Sequence, residues 1–184
     1  AAEVTMSARI ILIATGTRPL RPANLPFADP AVFDVDGIFG LTALPKSLCI
    51  VGGGPVGIEF ATIFNALGAS VTLIQKGDRL APTMDGELAH RMAQLFAERG
   101  VRVILGAGVE TVVRVGAQLH LTLSNGDPLT TEALLLAAGR SPYTAGLGLA
   151  DIGIAVDKSG YIIVDENYQT RVPGVYAAGD VVGA

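Results

Sequence analysis

A short glycine-rich segment, GGGPVG at residues 52–57, constrains the fold of this chain more than any other feature. It follows an apolar run, SLCIV (47–51), and it opens a segment, 55–68, whose apolar residues have helical spacing. The next run, SVTLIQ (70–75), is rich in β-branched residues, which favour strands. A GxGxxG sequence between a strand and a helix is typical of a dinucleotide-binding βαβ unit. The sequence therefore predicts an α/β fold with a Rossmann-like parallel sheet.

Three glycines of this segment have separate physical tasks in nucleotide binding. Gly52 permits the tight turn from strand to helix, Gly54 lets the backbone approach a pyrophosphate, and Gly57 lets the helix pack on its strand. The helix N-terminus adds unpaired N–H groups and the positive end of the helix dipole. The alternative is a tight turn that binds nothing. The predicted nicotinamide dinucleotide site in this segment comprises Gly52, Gly53, Gly54, Pro55, Val56 and Gly57.

The end of the second strand distinguishes NAD from NADP in Rossmann domains, because an acid there binds the ribose hydroxyls of NAD. Here the strand ends in Gln75, and Lys76 follows it. The neutral Gln75 can hydrogen-bond a diol without repelling a phosphate, and Lys76 can pair with a phosphate as a point charge. One interpretation is relaxed cofactor specificity. The other is that Gln75 replaces the acid for NAD while Lys76 is a solvated turn residue.

The remaining residues predict a second helix, further strands and an antiparallel hairpin or β-meander laid on the parallel sheet. The helix has Asp85 as its N-cap, and an Asn125-Gly126 turn follows the alternating strands. A stretch with four prolines favours an extended linker without regular structure. The predicted elements are a linker at 17–30, a turn with a short helix at 33–45, a helix at 85–100, strands at 101–105, 109–115, 117–124 and 133–139, and a hairpin-like stretch at 161–170.

Composition excludes several classes of protein. Half of the residues are hydrophobic, but no apolar run reaches the roughly 18–20 residues that span a bilayer, so the apolar strands indicate a sheet buried on both faces. The net charge is -4 and the 13 Lys and Arg residues are scattered, which argues against a nucleic-acid partner. The single cysteine, Cys49, predicts a small core residue, no internal disulfide and a cytoplasmic location. We predict no metal site.

The chain contains four motifs in this order: ATGTRP (14–19), GGGPVGIEFA (52–61), AAGRSPYT (137–144) and TRVPGVYAAGDVVG (170–183). Together they resemble the motifs of the pyridine nucleotide-disulfide oxidoreductases. The resemblance covers essentially the whole chain. It implies an enzyme with FAD and NAD(P) that transfers hydride between nicotinamide and flavin, with either a redox cysteine pair or a second nicotinamide as electron partner. The sequence departs from the family at Tyr143, where asparagine is usual, and at Gln75, where NAD-using members have glutamate.

The resemblance also implies roles for single residues. Asp180 would hydrogen-bond the ribityl chain of FAD, and Glu59, on the first helical turn, would support the nicotinamide–flavin contact. Gly139 would line the nicotinamide side of the NAD site and Val109 its adenine end, although packing explains both residues equally well. No catalytic residue is expected within these 184 positions. The first FAD motif, a redox cysteine pair and a partner lysine are expected before residue 1, and a dimerisation domain beyond residue 184.

The predicted organisation is a Rossmann-like NAD(P)-binding domain, 34–144, flanked by partial FAD-domain strands at 1–33 and 145–184. The two outer parts should meet in one sheet, and their apolar edges favour self-association when they are isolated. The full-length protein is then a homodimer, and this segment alone binds nucleotide without turnover. Two alternatives stay open. One is a flavin-dependent NADH oxidase, quinone reductase or ferredoxin reductase without the cysteine pair, and the other is a non-catalytic nucleotide-binding module.

Overall fold

A computed structural model describes residues 4–183, which divide into two compact units. Unit 1 draws on Ala1–Arg18 and Arg140–Ala184, and unit 2 is the contiguous segment Pro19–Gly139. These limits differ from the predicted domain limits, because the linker residues before position 34 pack within unit 2, where Leu25 is buried. The assignment of the units to NAD(P) and FAD stays a prediction.

The described residues form twelve strands and two α-helices, with short 3-10 helices at Gly37–Gly40, Ala150–Ile152 and Gly179–Val182. In chain order the strands and α-helices are β1 (Ile11–Ile13), β2 (Thr17–Pro19), β3 (Val32–Asp34), β4 (Ser47–Val51), α1 (Pro55–Ala66), β5 (Ser70–Gln75), α2 (Gly86–Glu98), β6 (Arg102–Leu105), β7 (Val109–Val115), β8 (Gln118–Leu123), β9 (Pro128–Thr131), β10 (Ala133–Leu136), β11 (Arg140–Pro142) and β12 (Val175–Ala177). Within the described part of the chain, no helix is long and apolar enough to cross a membrane.

A five-stranded parallel sheet in the order β3-β10-β4-β5-β6 forms the centre of unit 2. Its middle strands are buried on both faces, and Leu48, Cys49 and Ile50 of β4 are at most 1% exposed. A parallel sheet is covered on both sides, which explains why these strands are continuously apolar. The predicted α/β fold is therefore confirmed, as is the burial of Cys49. Burial raises the pKa of the Cys49 thiol to about 12, so the thiol stays protonated at neutral pH.

The two helices and the β-meander of β7, β8 and β9 cover opposite faces of this sheet. Ala61 and Phe64 of α1 and Phe96 of α2 share one core with alternate strand residues. The meander is antiparallel, and β8 buries every second residue, which is the predicted period-2 pattern. Asp85 caps α2 as predicted, accepting hydrogen bonds from the N–H groups of Glu87 and Leu88. The second core contains Leu119, Leu121 and Leu123 of the meander with Cys49, Ile74 and Leu134 of the sheet.

Two segments form strands where the sequence predicts none. The start of the proline-rich stretch 17–30 forms β2, which pairs with β11, and the stretch 33–45 overlaps β3, which joins the parallel sheet. Both predictions were wrong at these points. Each strand has three residues and lies at the edge of its sheet, where proline is tolerated. Three residues are also too few to show a recognisable period.

Unit 1 brings the two ends of the chain together. β1 pairs in parallel with β12, so that Ile11 lies opposite Val175, and this confirms the predicted meeting of the outer segments. Ile162 and Val181 are fully buried in its core. The hairpin expected at 161–170 is not observed in the described residues. Isolated antiparallel bridges join Val156 to Ile162 and Gln169 to Tyr176 instead. β1 itself stays largely exposed, with 60% of Leu12 accessible, so the predicted apolar edge is present.

The carboxylate of Asp34, at the end of β3, ties the linker to the central sheet. Asp34 is 2% exposed. Its Oδ2 accepts a hydrogen bond from Arg21 Nε at 2.6 Å, and its Oδ1 accepts from the N–H groups of Asp36 and Gly37 at 3.1 and 2.7 Å. Burial alone raises the pKa of this carboxyl, but the Gly37 N–H and the Arg21 guanidinium outweigh burial, so the pKa of Asp34 is lowered.

We expect Asp34 to stabilise the chain above about pH 4 and to lose that contribution as the pH falls further. Because its pKa is lower in the folded chain than in the unfolded chain, acid protonates the unfolded state first. Asp34→Asn should therefore flatten the acid limb of the stability profile, measured by urea unfolding between about pH 5 and pH 2. Asp127→Asn, in an exposed turn, is the control. An acid limb of unchanged slope in Asp34→Asn contradicts the prediction.

Candidate functional site

The loop from β4 to α1 is so tightly packed at two positions that only glycine fits. Gly52 has a φ of +117°, and a Cβ there would lie 2.4 Å from the carbonyl oxygen of Ala137. A Cβ on Gly57 would lie 1.8 Å from the carbonyl oxygen of Gly52. Packing within the protein therefore requires glycine at both positions, for the turn and for the contact between helix and strand.

Gly54 is different, because no described atom beyond its chain neighbours Gly53 and Pro55 lies within 4 Å of its Cβ position. Its φ of -78° and ψ of -177° suit any amino acid. The protein itself therefore has no need of glycine here, and the empty space lies directly at the N-terminus of α1. Gly54 is the N-cap of this helix, and no side chain in the described structure caps it. A phosphate would accept hydrogen bonds from the uncapped N–H groups, so the residues present fit a pyrophosphate.

Pro55 and Val56 are the first two residues of α1 and are exposed. The N–H of the first helical residue has no partner within the helix, so proline, which lacks an N–H, is well tolerated there. Its fixed φ also favours helix initiation. Gly53 is buried behind them, where a Cβ would lie 2.7 Å from Cδ2 of Leu80. The loop is thus packed against Leu80 at Gly53 and is open on the side of Gly54, at the start of α1.

Gln75, the last residue of β5, is hydrogen-bonded to the glycine loop. The N–H of Gly53 donates to Oε1 of Gln75 at 3.0 Å. This bond turns the carboxamide oxygen toward the loop, and the side-chain nitrogen keeps two N–H donors. Gln75 can therefore donate to a ligand without bringing a negative charge, and the exposed Lys76 adds a positive charge beside it.

A pocket of about 200 Å³ lies in unit 2 where β4, β5 and β10 end. Ligands of open α/β sheets bind at the carboxyl ends of the strands. Four residues predicted from the sequence meet here, namely Gly52, Gln75, Lys76 and Val109. The sequence analysis missed the other lining residues, because nothing in a proline-rich linker or a strand end marks a pocket wall. They are Pro22, Asn24, Leu25, Val51, Ala107, Gly108, Leu136 and Ala138.

The other predicted residues of unit 2 do not line this pocket, namely Gly53 to Gly57, Glu59 and Gly139. Glu59 is exposed and is the fifth residue of α1, so it begins the second turn of the helix, and the expected place on the first turn is wrong. The helix begins at Pro55, immediately after Gly54, the third of the three consecutive glycines, so that Glu59 lies past the first turn. Gly139 has a φ of +123°, and its carbonyl accepts from the Leu20 N–H at 3.1 Å. Its backbone conformation alone favours glycine.

Asp180 belongs to unit 1 and lies in the 3-10 helix that follows β12. The Thr17 hydroxyl donates to its Oδ2 at 3.2 Å, and Arg140 Nε donates to the Thr17 hydroxyl at 2.7 Å. An exposed carboxylate just beyond the carboxyl end of a parallel strand can accept a hydrogen bond from a sugar-alcohol hydroxyl, so Asp180 fits the predicted contact with the ribityl chain of FAD. A wider groove of about 450 Å³ in unit 1 contains none of the predicted site residues.

Comparison with known proteins places this geometry in a family. The model for the pyridine nucleotide-disulphide oxidoreductases matches residues 1–184. The chain is 39% identical over 178 residues to the soluble pyridine nucleotide transhydrogenase of Pseudomonas putida (strain W619) and 40% identical over 183 residues to that of Mycobacterium bovis (strain BCG / Pasteur 1173P2). These alignments cover 97% and 98% of this chain but 38% and 39% of the relatives.

Solved structures agree with the sequence comparison. The chain superposes with a TM-score of 0.90 on the Cu(II) complex of the HOCl-induced flavoprotein disulfide reductase RclA from Escherichia coli, at 35% identity over 96% of this chain and 40% of that one. It superposes with a TM-score of 0.86 on LpdA from Mycobacterium tuberculosis, at 35% identity over 95% of this chain and 38% of that one. The chain thus spans 38% to 40% of the length of these relatives. It belongs to the pyridine nucleotide-disulphide oxidoreductase family.

Proposed function

We propose that this chain supplies the nicotinamide dinucleotide site of an FAD-dependent oxidoreductase that transfers hydride between nicotinamide and flavin. The observation that carries the proposal is Gly54, a glycine that the packing of the protein does not require, at the uncapped start of α1. Transhydrogenases and flavoprotein disulfide reductases both match this chain, and this hydride step is common to the two activities. When bound, the cofactors supply the redox chemistry, and the protein binds and orients them.

In this proposal, the chain's own residues bind and position the two cofactors. The N–H groups at the start of α1 hold the pyrophosphate, and the 200 Å³ pocket accommodates the adenosine end beside Val109. Gly139 lines the nicotinamide side, with Glu59 in a supporting role. Asp180 hydrogen-bonds the ribityl chain of FAD.

The proposal includes a cytoplasmic location and, for the full-length protein, a homodimer. The single Cys49, which is buried and unpaired among the described residues, supports a reducing compartment. Calorimetric titration of the chain with NADH and with NADPH tests the nucleotide site directly. Heat from one site per chain is expected, and the absence of heat with both cofactors contradicts the proposal.

The neutral side chain of Gln75, with its two N–H donors, supports relaxed specificity between the two nicotinamide cofactors. Its N–H groups can donate to a ribose hydroxyl oxygen of NADH or to the 2′-phosphate of NADPH, and Lys76 favours the phosphate further. We expect the dissociation constants for NADH and NADPH to differ by less than tenfold, about 1.4 kcal/mol. Fluorescence titration measures both, and a hundredfold preference in either direction contradicts relaxed specificity.

Gln75→Glu is expected to make the chain selective for NADH. The glutamate keeps an acceptor for the Gly53 N–H but replaces the donor nitrogen with a charged oxygen, which repels a 2′-phosphate and accepts from a ribose hydroxyl. NADPH affinity should fall at least about tenfold, while NADH affinity stays level or improves. Gln94→Glu, an exposed position on α2, adds the same charge away from the pocket and serves as the control. An equal change for both cofactors contradicts this role of Gln75.

A further inference from the structure

We infer that Asn24, in the linker between β2 and β3, is a positioning residue for the nucleotide pocket. It holds the bulged start of β7, and thereby Val109, at the distance from the linker that the adenosine end of the dinucleotide requires. The inference rests on the proposed function, because it concerns how tightly the same pocket binds its ligand.

The first residues of β7 are irregular where they border the pocket. Val109 lies opposite Leu123 of β8, but Thr111 lies opposite Thr122, so Glu110 has no partner of its own across this described strand pair. This is a β-bulge, a feature that locally disrupts the ladder and re-aims side chains near binding sites. The conformation of Val109 therefore depends on what holds the bulge.

Asn24 supplies that contact from the linker. Its side-chain nitrogen donates to the carbonyl oxygen of Glu110 at 3.1 Å and lies 3.4 Å from that of Val109. Both bulge carbonyls thus face one carboxamide. Asn24 and its buried neighbour Leu25 line the pocket together with Val109, so these hydrogen bonds join two walls of the same pocket.

A second contact fixes the linker against β7 further along the strand. The Arg114 guanidinium of β7 forms two hydrogen bonds to the Asp29 carboxylate, one from Nε to Oδ2 at 2.6 Å. Its hydrogen bonds lower the pKa of the Asp29 carboxyl, so Asp29 stays charged at neutral pH. With the linker anchored at Asp29, the Asn24 amide determines the local spacing between linker and bulge.

The experiment compares Asn24→Asp and Asn24→Ala with Asn65→Asp. Aspartate at position 24 would place a carboxylate against two carbonyl oxygens, whereas alanine only removes the donor. Asn65 is the matched control, because its amide also donates to a backbone carbonyl, that of Arg99 at 3.2 Å, and it does not line the pocket. Calorimetry with ADP-ribose reads the adenosine half of the site, and thermal unfolding reads stability.

We expect the dissociation constant for ADP-ribose to rise about tenfold in Asn24→Asp and about threefold in Asn24→Ala, with little change in the melting temperature because Asn24 is exposed. Asn65→Asp should lower the melting temperature without weakening binding. Unchanged ADP-ribose affinity in both Asn24 variants, or an equal loss in Asn65→Asp, overturns the inference alone. If the unaltered chain does not bind ADP-ribose, the proposed function fails and this inference fails with it.

Discussion

Alanine at position 54 is expected to weaken the binding of NADH and NADPH about a hundredfold, roughly 2.7 kcal/mol, without unfolding the chain. The added methyl group would occupy the space at the start of α1 that we assign to the pyrophosphate, and would keep the phosphates from the helix N–H groups. Stability should change by less than about 1 kcal/mol, because alanine is only a poorer N-cap than glycine. Apart from the adjoining residues Gly53 and Pro55, no atom of the described chain lies within 4 Å of the new methyl group.

Calorimetric titration and urea unfolding of the same Gly54→Ala preparation separate these two effects. Gly40→Ala is a suitable control, since a Cβ there also meets no described atom within 4 Å beyond its own chain neighbours and helix backbone, and Gly40 lies in a 3-10 helix and not in the glycine loop. If Gly54→Ala binds nucleotide as tightly as the unaltered chain, the phosphates do not lie at this helix end. The proposed function then loses the observation that carries it.

Gly57→Ala should instead destabilise the fold, by roughly 3 kcal/mol or more. Its methyl carbon would lie 1.8 Å from the Gly52 carbonyl oxygen, a backbone atom that cannot rotate away. Relief requires moving α1 off β4, which disturbs the packing of Ala61, a fully buried residue on the same helix. Nucleotide binding should weaken as a consequence of this shift.

Urea unfolding of Gly57→Ala beside Gly54→Ala tests the distinction within one motif. The two substitutions are chemically identical and three positions apart, yet we expect one to reduce chiefly stability and the other chiefly binding. A loss of less than about 1 kcal/mol in Gly57→Ala would show that helix and strand tolerate a methyl group between them.

Sequence patterns were informative where a segment was long and its period clear. The apolar run of β4, the helical spacing of α1 and the alternation of β8 each have one physical interpretation, and each element is observed. The order of the four motifs identified the family, and in the glycine loop Gly52, Gly54 and Gly57 each have a separate steric or ligand-binding task.

The linker could not be interpreted in this way. Asn24 and Leu25 lie among prolines, without any period, and their role depends on contacts with residues more than eighty positions away. The sequence likewise singled out Gln75 but not its orientation, because the hydrogen bond from Gly53 exists only once β4 and β5 are paired. Local patterns predict elements, whereas such contacts follow from the assembled fold.

The backbone hydrogen bond from Leu20 to the Gly139 carbonyl has a consequence for folding order. These residues stand at opposite ends of unit 2, so unit 2 is an insertion whose entry and exit lie side by side. Once it has folded, the loop that must close before β1 can pair with β12 shrinks from residues 14–174 to the two flanking segments, 14–18 and 140–174. Because the entropic cost of closure grows with loop length, the terminal strands should pair after the inserted unit has folded.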